Sequence, residues 1–210
     1  MVRRYGCGAR ALDFGCGTGR STRFLRGLGF EVSGVDISPA MVDQARALDP
    51  AGDYRLVGDG GLLDEFAPDS FGIILAAFTF DNIPTDVAKA GALSGLRTLL
   101  APHGALFLVV SSPAIYVNEW VSFSTKDFPE NRDAHDGDRV RIVMLDVPDR
   151  RPVEDVLCTD ANYRRLFENA GLKLREMLSP LATGQEKIRW VSETTTAPWT
   201  IYVLGRLTDR

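Results

Sequence analysis

Ala11-Leu12-Asp13-Phe14-Gly15-Cys16-Gly17-Thr18-Gly19-Arg20 runs from an apolar strand through a glycine turn into a helix. The strand is short and apolar, as one buried on both faces should be. Glycines at 15, 17 and 19 let the backbone take positive φ and approach a ligand with no Cβ in the way. The helix opening at Thr18 to Ser21 points unpaired N–H groups back at the turn. The loop is therefore expected to hold the anionic or polar part of a nucleotide-like cofactor.

Spacing narrows the choice. The dinucleotide fingerprint is G-x-G-x-x-G, whose third glycine packs helix against strand. Here the pattern is G-x-G-x-G, and Arg20 stands where that third glycine would be. Asp13 precedes the turn by two residues. Asp36 ends the run Phe30-Glu31-Val32-Ser33-Gly34-Val35, about where an acid grips a ribose hydroxyl. Asp59 follows Tyr54-Arg55-Leu56-Val57-Gly58. Three acids at successive strand ends suit a ligand with an amino group, a ribose and an adenine. A pyrophosphate would want fewer carboxylates.

Strands are expected at 10–14, 30–36, 53–57, 71–77 and 104–111, with helices over 18–28, 41–48 and 87–100. Ser38-Pro39 supplies an N-cap and a first-position proline, and Phe24, Leu25 and Leu28 are expected on one apolar face. This rhythm predicts an α/β fold with a parallel sheet covered by helices on both faces. Ligands of such sheets sit beyond the strands' C-terminal ends. Residues 112–158 break the rhythm: a short helix carrying Tyr116 and Trp120, a polar loop over 126–138, then strands at 139–147 and 153–157 around a turn. Further strands are expected at 171–178 and 199–204.

With 210 residues, 45% hydrophobic and 25% charged, one globular domain spanning 1–210 is expected. A net charge of −4 argues against a general nucleic-acid binder. The N-terminus lacks the apolar stretch of a secretory signal, and the longest apolar runs are too short to span a bilayer. A cytoplasmic protein is expected. Cys7, Cys16 and Cys158 suggest neither a disulfide framework nor zinc. Cys16 is either a reactive thiol or a small residue tolerated in the turn. No cluster has metal-ligand spacing.

At these residues the chain resembles the class I S-adenosylmethionine-dependent methyltransferases of the small-molecule, methyltransferase-11/25-like type. L-D-F-G-C-G-T-G (12–19) is similar to the family's first motif, V-D-I-S (35–38) to its ribose motif and V-G-D-G (57–60) to its adenine motif. Leu99 to Leu106 is similar to its loop before the fifth strand, and Tyr163 to Leu172 to its last helix. The resemblance covers roughly 10–112 and 159–205. It implies a doubly wound, Rossmann-like seven-stranded sheet with an antiparallel last strand, and S-adenosylmethionine as cofactor. The cofactor would be held by Asp13, Gly15, Cys16, Gly17, Gly19, Asp36, Ile37, Asp59, Gly60, Ala77 and Phe78. It also implies that the inserted hairpin of 112–158 is a cap roofing the acceptor pocket. Family members commonly carry helices before the first strand, and here only about nine residues precede it. Either the chain is truncated, or the site is open, or a neighbouring subunit covers it.

Methyl transfer needs alignment and exclusion of water, and a general base only if the nucleophile arrives protonated. The candidates are His135, in the loop beneath the expected roof, Asp81, after the fourth strand, and Tyr116. His135 also reads as a solvated loop residue, and Asp81 as the cap of the following helix. His103 reads as structural. Trp190 and Glu193, in the loop before the last strand, line the pocket or pack the sheet edge. The aromatic content of 112–158 and the lack of a basic stretch favour a small-molecule acceptor over RNA or DNA, with the protein a monomer or homodimer. Two alternatives remain: an NAD(P)-dependent oxidoreductase, and a non-catalytic S-adenosylmethionine-binding module.

Overall fold

Side chains of a buried strand must be apolar in both directions, and the central strands here meet that condition. A computed structural model of the chain describes residues 2–58 and 60–207. The first half comprises α1 (Val2–Tyr5), β1 (Arg10–Phe14), α2 (Arg20–Gly27), β2 (Glu31–Asp36), α3 (Pro39–Leu48), β3 (Asp53–Leu56), α4 (Leu62–Glu65), β4 (Phe71–Ala77), α5 (Asp86–Leu99) and β5 (Leu100–Ser111). The second half adds β6 (Phe123–Ser124), β7 (Arg139–Met144), β8 (Pro152–Val156), α6 (Asp160–Asn169), β9 (Leu172–Leu178) and β10 (Trp199–Arg206).

Seven strands form one sheet in the order β3-β2-β1-β4-β5-β10-β9. The first five are parallel, and β10 runs antiparallel to both its neighbours. The expected Rossmann-like sheet with an antiparallel last strand is therefore present. From β1 the chain winds outward through β2 and β3, then returns to build β4 and β5 on the other side. This reversal opens a crevice at the C-terminal tips of β1 and β4.

Leu12, Ile74, Leu106, Leu108 and Leu204 face one layer, packed by α5 and α6 through Leu93, Leu96, Tyr163, Leu166 and Phe167. Ala11, Ile73, Leu75, Phe107 and Val203 face the other, with Leu25 of α2. There Tyr5 of α1 meets Phe107 edge-on and donates its hydroxyl to Glu176 at 2.6 Å.

Helix starts follow their caps. Ser38 Oγ accepts the Met41 N–H, with Pro39 in the first turn. Thr85 accepts from Ala88 and Thr159 from Asn162, each such cap worth about 1 kcal/mol. Thr85, not Asp81, thus caps α5. Helix α2 begins only at Arg20, because Gly19 is left-handed at φ 81°. Its inward face is Thr22 and Leu25, while Phe24, expected on the same apolar face as Leu25, is exposed.

The 112–158 segment forms its own sheet, in the order β6-β7-β8. The expected hairpin is β7 and β8, and β6 adds a third strand that sequence pattern did not show. The helix expected from Ser112 shrinks to a 3-10 turn, Pro113–Tyr116. A separate apolar cluster of Ile115, Tyr116, Trp120, Val140, Ile142 and Leu157 holds this segment together. Strand β8 packs on the 3-10 turn Phe80–Asn82, just beyond β4.

Candidate active site

The three glycines of the turn are glycine for three different reasons. All have positive φ, at 72°, 52° and 81°. A Cβ on Gly15 would strike the Thr79 side chain, whose hydroxyl donates to the Phe14 carbonyl at 2.9 Å and so staples the tips of β1 and β4. A Cβ on Gly19 would strike the Tyr54 ring. A Cβ on Gly17 would meet nothing within 4 Å. Gly17 is thus the one of the three that faces open space over the crevice.

The N–H groups of the turn are largely committed within the protein. Gly15 and Cys16 both donate to the Val35 carbonyl, at 2.8 and 2.9 Å, and Gly19 donates to Cys16. Gly17 donates to Asp36 Oδ2 at 2.8 Å, and Ser38 to Asp36 Oδ1 at 2.9 Å. At the N-terminus of α2 sits the protein's own anion. Asp13, fully buried, accepts from Ser21 Oγ at 2.7 Å and Thr22 Oγ1 at 2.6 Å through Oδ2. Burial raises its pKa, and the Thr22 and Ser21 hydrogen bonds oppose that shift. Its other oxygen, Oδ1, is buried with no hydrogen-bond partner. Asp13 thus stands at the N-terminus of α2, in the place an anionic ligand group would take.

Asp36 lies half-buried at the tip of β2, in no ion pair among the described residues. A carboxylate offers about four acceptor positions, of which two are filled by backbone. The remaining two suit a pair of hydroxyl donors. Ile37, 68% exposed, follows it, and Phe78, 40% exposed, stands on the tip of β4 beside half-buried Ala77. Phe78 has φ 59°, an uncommon conformation for a bulky residue and one that concentrates at functional sites. Its ring meets Trp199 edge-on at 5.7 Å. Gly60 also takes positive φ, and Asp59 lies outside the described residues.

Cys16 does not point at the crevice. Its side chain packs with Val42, Ala45 and Tyr54, and burial pushes its thiol up to about 12. It contributes backbone to the turn and is no reactive thiol.

The three candidate catalytic residues separate. Asp81 and Tyr116 come together, whereas His135 stands away on a loop with its side chain 88% exposed, its nearest acid Asp138 at 3.8 Å. Asp81 is 4% exposed and accepts the Ser111 N–H at 3.1 Å. Burial, and then the neighbouring Asp155, push it up to about 7. Tyr116 donates to Asp155 at 3.0 Å, and burial raises its hydroxyl far above the ordinary value, so it is a poor base. Trp190 donates to Glu186, and Glu193 accepts the Val121 and Val191 N–H groups, tying the last loop to the 112–158 segment. His103 lies at the exposed N-terminal end of β5, on the opposite edge from the crevice. Among the described residues no group of His, Cys, Asp and Glu has a metal-binding arrangement.

A family model described as a methyltransferase domain matches residues 12–108. Those residues, under half of the chain, are similar to that domain and carry the glycine turn and strands β1 to β4. The ubiquinone biosynthesis O-methyltransferase of Xanthomonas campestris pv. campestris (strain B100) is 34% identical over 105 residues, covering 48% of this chain and 42% of that protein. The 18S rRNA (guanine-N(7))-methyltransferase of Bos taurus is 45% identical over 60 residues, covering 29% and 21%. The chain thus spans less than half the length of these curated relatives. Among solved structures, an S-adenosylmethionine-dependent methyltransferase from Methanosarcina mazei superposes with a TM-score of 0.71 at 14% identity, covering 99% of this chain and 97% of that one. That likeness is one of fold. The match ends within β5, so the 112–158 segment, β9 and β10 lie outside it.

Proposed function

We propose that this protein transfers a methyl group from S-adenosylmethionine to a small-molecule acceptor. The observation that carries the reading is the treatment of charge at the tips of β1 and β2. Asp13, buried behind the turn, fills the N-terminus of α2, and Asp36 takes the Gly17 N–H, so the donors that a dinucleotide's pyrophosphate needs are already spent. This favours a cationic, diol-bearing ligand and disfavours NAD(P).

The residues present fit that cofactor. Asp36 has two acceptor positions left for ribose hydroxyls. Gly17 leaves the space that close approach requires, and Ile37, Ala77 and Phe78 offer apolar surface to a base. Asp13 places a negative charge behind the turn, and its unpaired Oδ1 is the polar atom that a nearby cation would relieve. S-adenosylmethionine supplies an activated methyl on a positively charged sulfonium, so the protein's task is to align, desolvate and surround. The cap carries the walls nearest the tips of β4 and β5 and is the natural source of acceptor specificity. Asp81, pushed up to about 7, is the candidate at the tip of β4 that can hold or release a proton at physiological pH.

A small-molecule acceptor agrees with the net charge of −4 and with the Xanthomonas O-methyltransferase, though the bovine relative is named for an RNA base. Among the described residues no helix is long and apolar enough to cross a membrane, and a cytoplasmic setting suits three unpaired cysteines. The test is a thermal-shift series. S-adenosylmethionine and S-adenosylhomocysteine should raise Tm while NAD and NADP leave it unchanged, and the reverse would establish the oxidoreductase reading. Turnover against an acceptor panel separates an enzyme from a binding module.

A further inference from the structure

Between the cap and the methyltransferase domain lies a buried charge cluster that cofactor binding does not use. Asp81 belongs to the turn after β4, Asp155 to β8 of the cap and Lys89 to α5, and all three are buried. Ser111 at the tip of β5 holds Asp81 through its N–H, and Tyr116 holds Asp155 through its hydroxyl. Lys89 donates to the Ile83 carbonyl at 2.5 Å. From α6, Tyr163 adds a buried hydroxyl with no hydrogen-bond partner. Cys158, Asp86 and Asp136 are the other groups acting on Lys89, and Asp155 and Lys89 are those acting on Asp81. Six separate elements thus converge where the cap meets the sheet.

Charge counting gives the cluster two states. One ammonium with one carboxylate and one carboxylic acid is neutral. One ammonium with two carboxylates leaves a net negative charge in a dry contact, which is costly. The turn that carries Asp81 begins two residues after Phe78, and Asn82 donates to the Phe78 carbonyl at 3.1 Å. Whatever loosens this turn is passed to the lip of the crevice.

We propose that Asp81, Asp155 and Lys89 form a proton-operated latch between the cap and the tip of β4. A proton from solvent, bound by the carboxylate pair, closes it. Its release leaves two facing carboxylates that push β8 from the turn and free Phe78. Closure at lower pH and opening at higher pH then govern access to the crevice. The latch belongs to the ligand-free protein and stands whether or not the cofactor assignment does.

Trp199 reads the latch, because its ring rests on Phe78. Tryptophan emission of the ligand-free protein, followed from pH 5.5 to 8.5, should show a reversible transition centred at about pH 7. The transition should shrink in Trp199→Phe, which deletes the reporter beside Phe78, and vanish in Asp81→Asn, which deletes the titrating group. Asp155→Asn removes the facing negative charge and should lower the midpoint by about one pH unit or more. Lys89→Met removes the cation and should raise it. Opposite shifts cannot come from loosened packing alone. A flat profile in the wild-type protein, a transition that survives Asp81→Asn, or midpoints that move the same way in the Asp155 and Lys89 variants would overturn the proposal.

Discussion

Gly17 and Asp36 are joined by a hydrogen bond of 2.8 Å from the backbone N–H of one to the carboxylate of the other. The bond ties the turn after β1 to the tip of β2, so one carboxylate both shapes the glycine loop and faces the crevice. Asp36→Ala should therefore weaken S-adenosylhomocysteine binding on two counts. Hydrogen bonds to a charged group are worth roughly 1.5–3 kcal/mol, which is about 10- to 100-fold in Kd. Titration calorimetry on the folded variant measures it.

The glycines should respond in different ways to alanine. Gly17→Ala meets no atom and carries only the left-handed backbone cost of roughly 1–2 kcal/mol. It should lower Tm by a few degrees and abolish donor binding. Gly15→Ala and Gly19→Ala drive a Cβ into Thr79 and Tyr54 and should cost more stability than Gly17→Ala. Melting curves beside binding isotherms distinguish the two patterns.

Asp81 makes stability depend on pH with a definite sign. Its folded value, about 7, lies above its ordinary value of 3.8. Between those values the folded protein keeps a proton that the unfolded chain has released, so stability falls as pH rises through the window and levels off above pH 7. Asp13 and Asp155 are raised as well and contribute in the same direction. Asp81→Asn should remove its own share, leaving the variant more stable than wild type at pH 8 and nearly equal at pH 4.5. Since one pKa unit is about 1.4 kcal/mol, the gain is a few kcal/mol at most. Denaturant melts at the two pH values check it.

Thiol labelling should separate the cysteines. Cys16 and Cys158 are buried, with thiols pushed up to about 12 by burial. Native protein at pH 8 should react with iodoacetamide at partly exposed Cys7 well before either of them, and all three should react after unfolding. Rapid native labelling of Cys16 would show that the turn opens.

The sheet was legible because its signals are local. Apolar runs at β1, β2 and β4, the Ser38-Pro39 start of α3 and the glycine turn each follow from a few adjacent residues. What sequence did not show depends on distant partners. Asp13 looks like a ligand-facing acid until Ser21 and Thr22 are seen to take its oxygen. Cys16 looks like part of the turn's open face until Tyr54 and Val42 surround it. Phe24 has the spacing of a core residue, yet α2 turns Thr22 and Leu25 inward instead. Two-residue β6 carries no period of its own and exists only by pairing with β7. His135 was singled out by its chemistry and its place in the loop beneath the expected roof, yet its side chain points to solvent. His135→Ala should accordingly leave donor binding unchanged.

Titration of the folded protein with S-adenosylhomocysteine, beside a parallel titration with NAD, tests the central claim most directly. Asp36 at the crevice, with the turn's donors already spent, predicts saturable binding of S-adenosylhomocysteine at one site per chain, at least tenfold weaker in Asp36→Ala, with no heat from NAD. Absence of binding to the folded protein, affinity untouched by Asp36→Ala, or saturable binding of NAD in its place would contradict it.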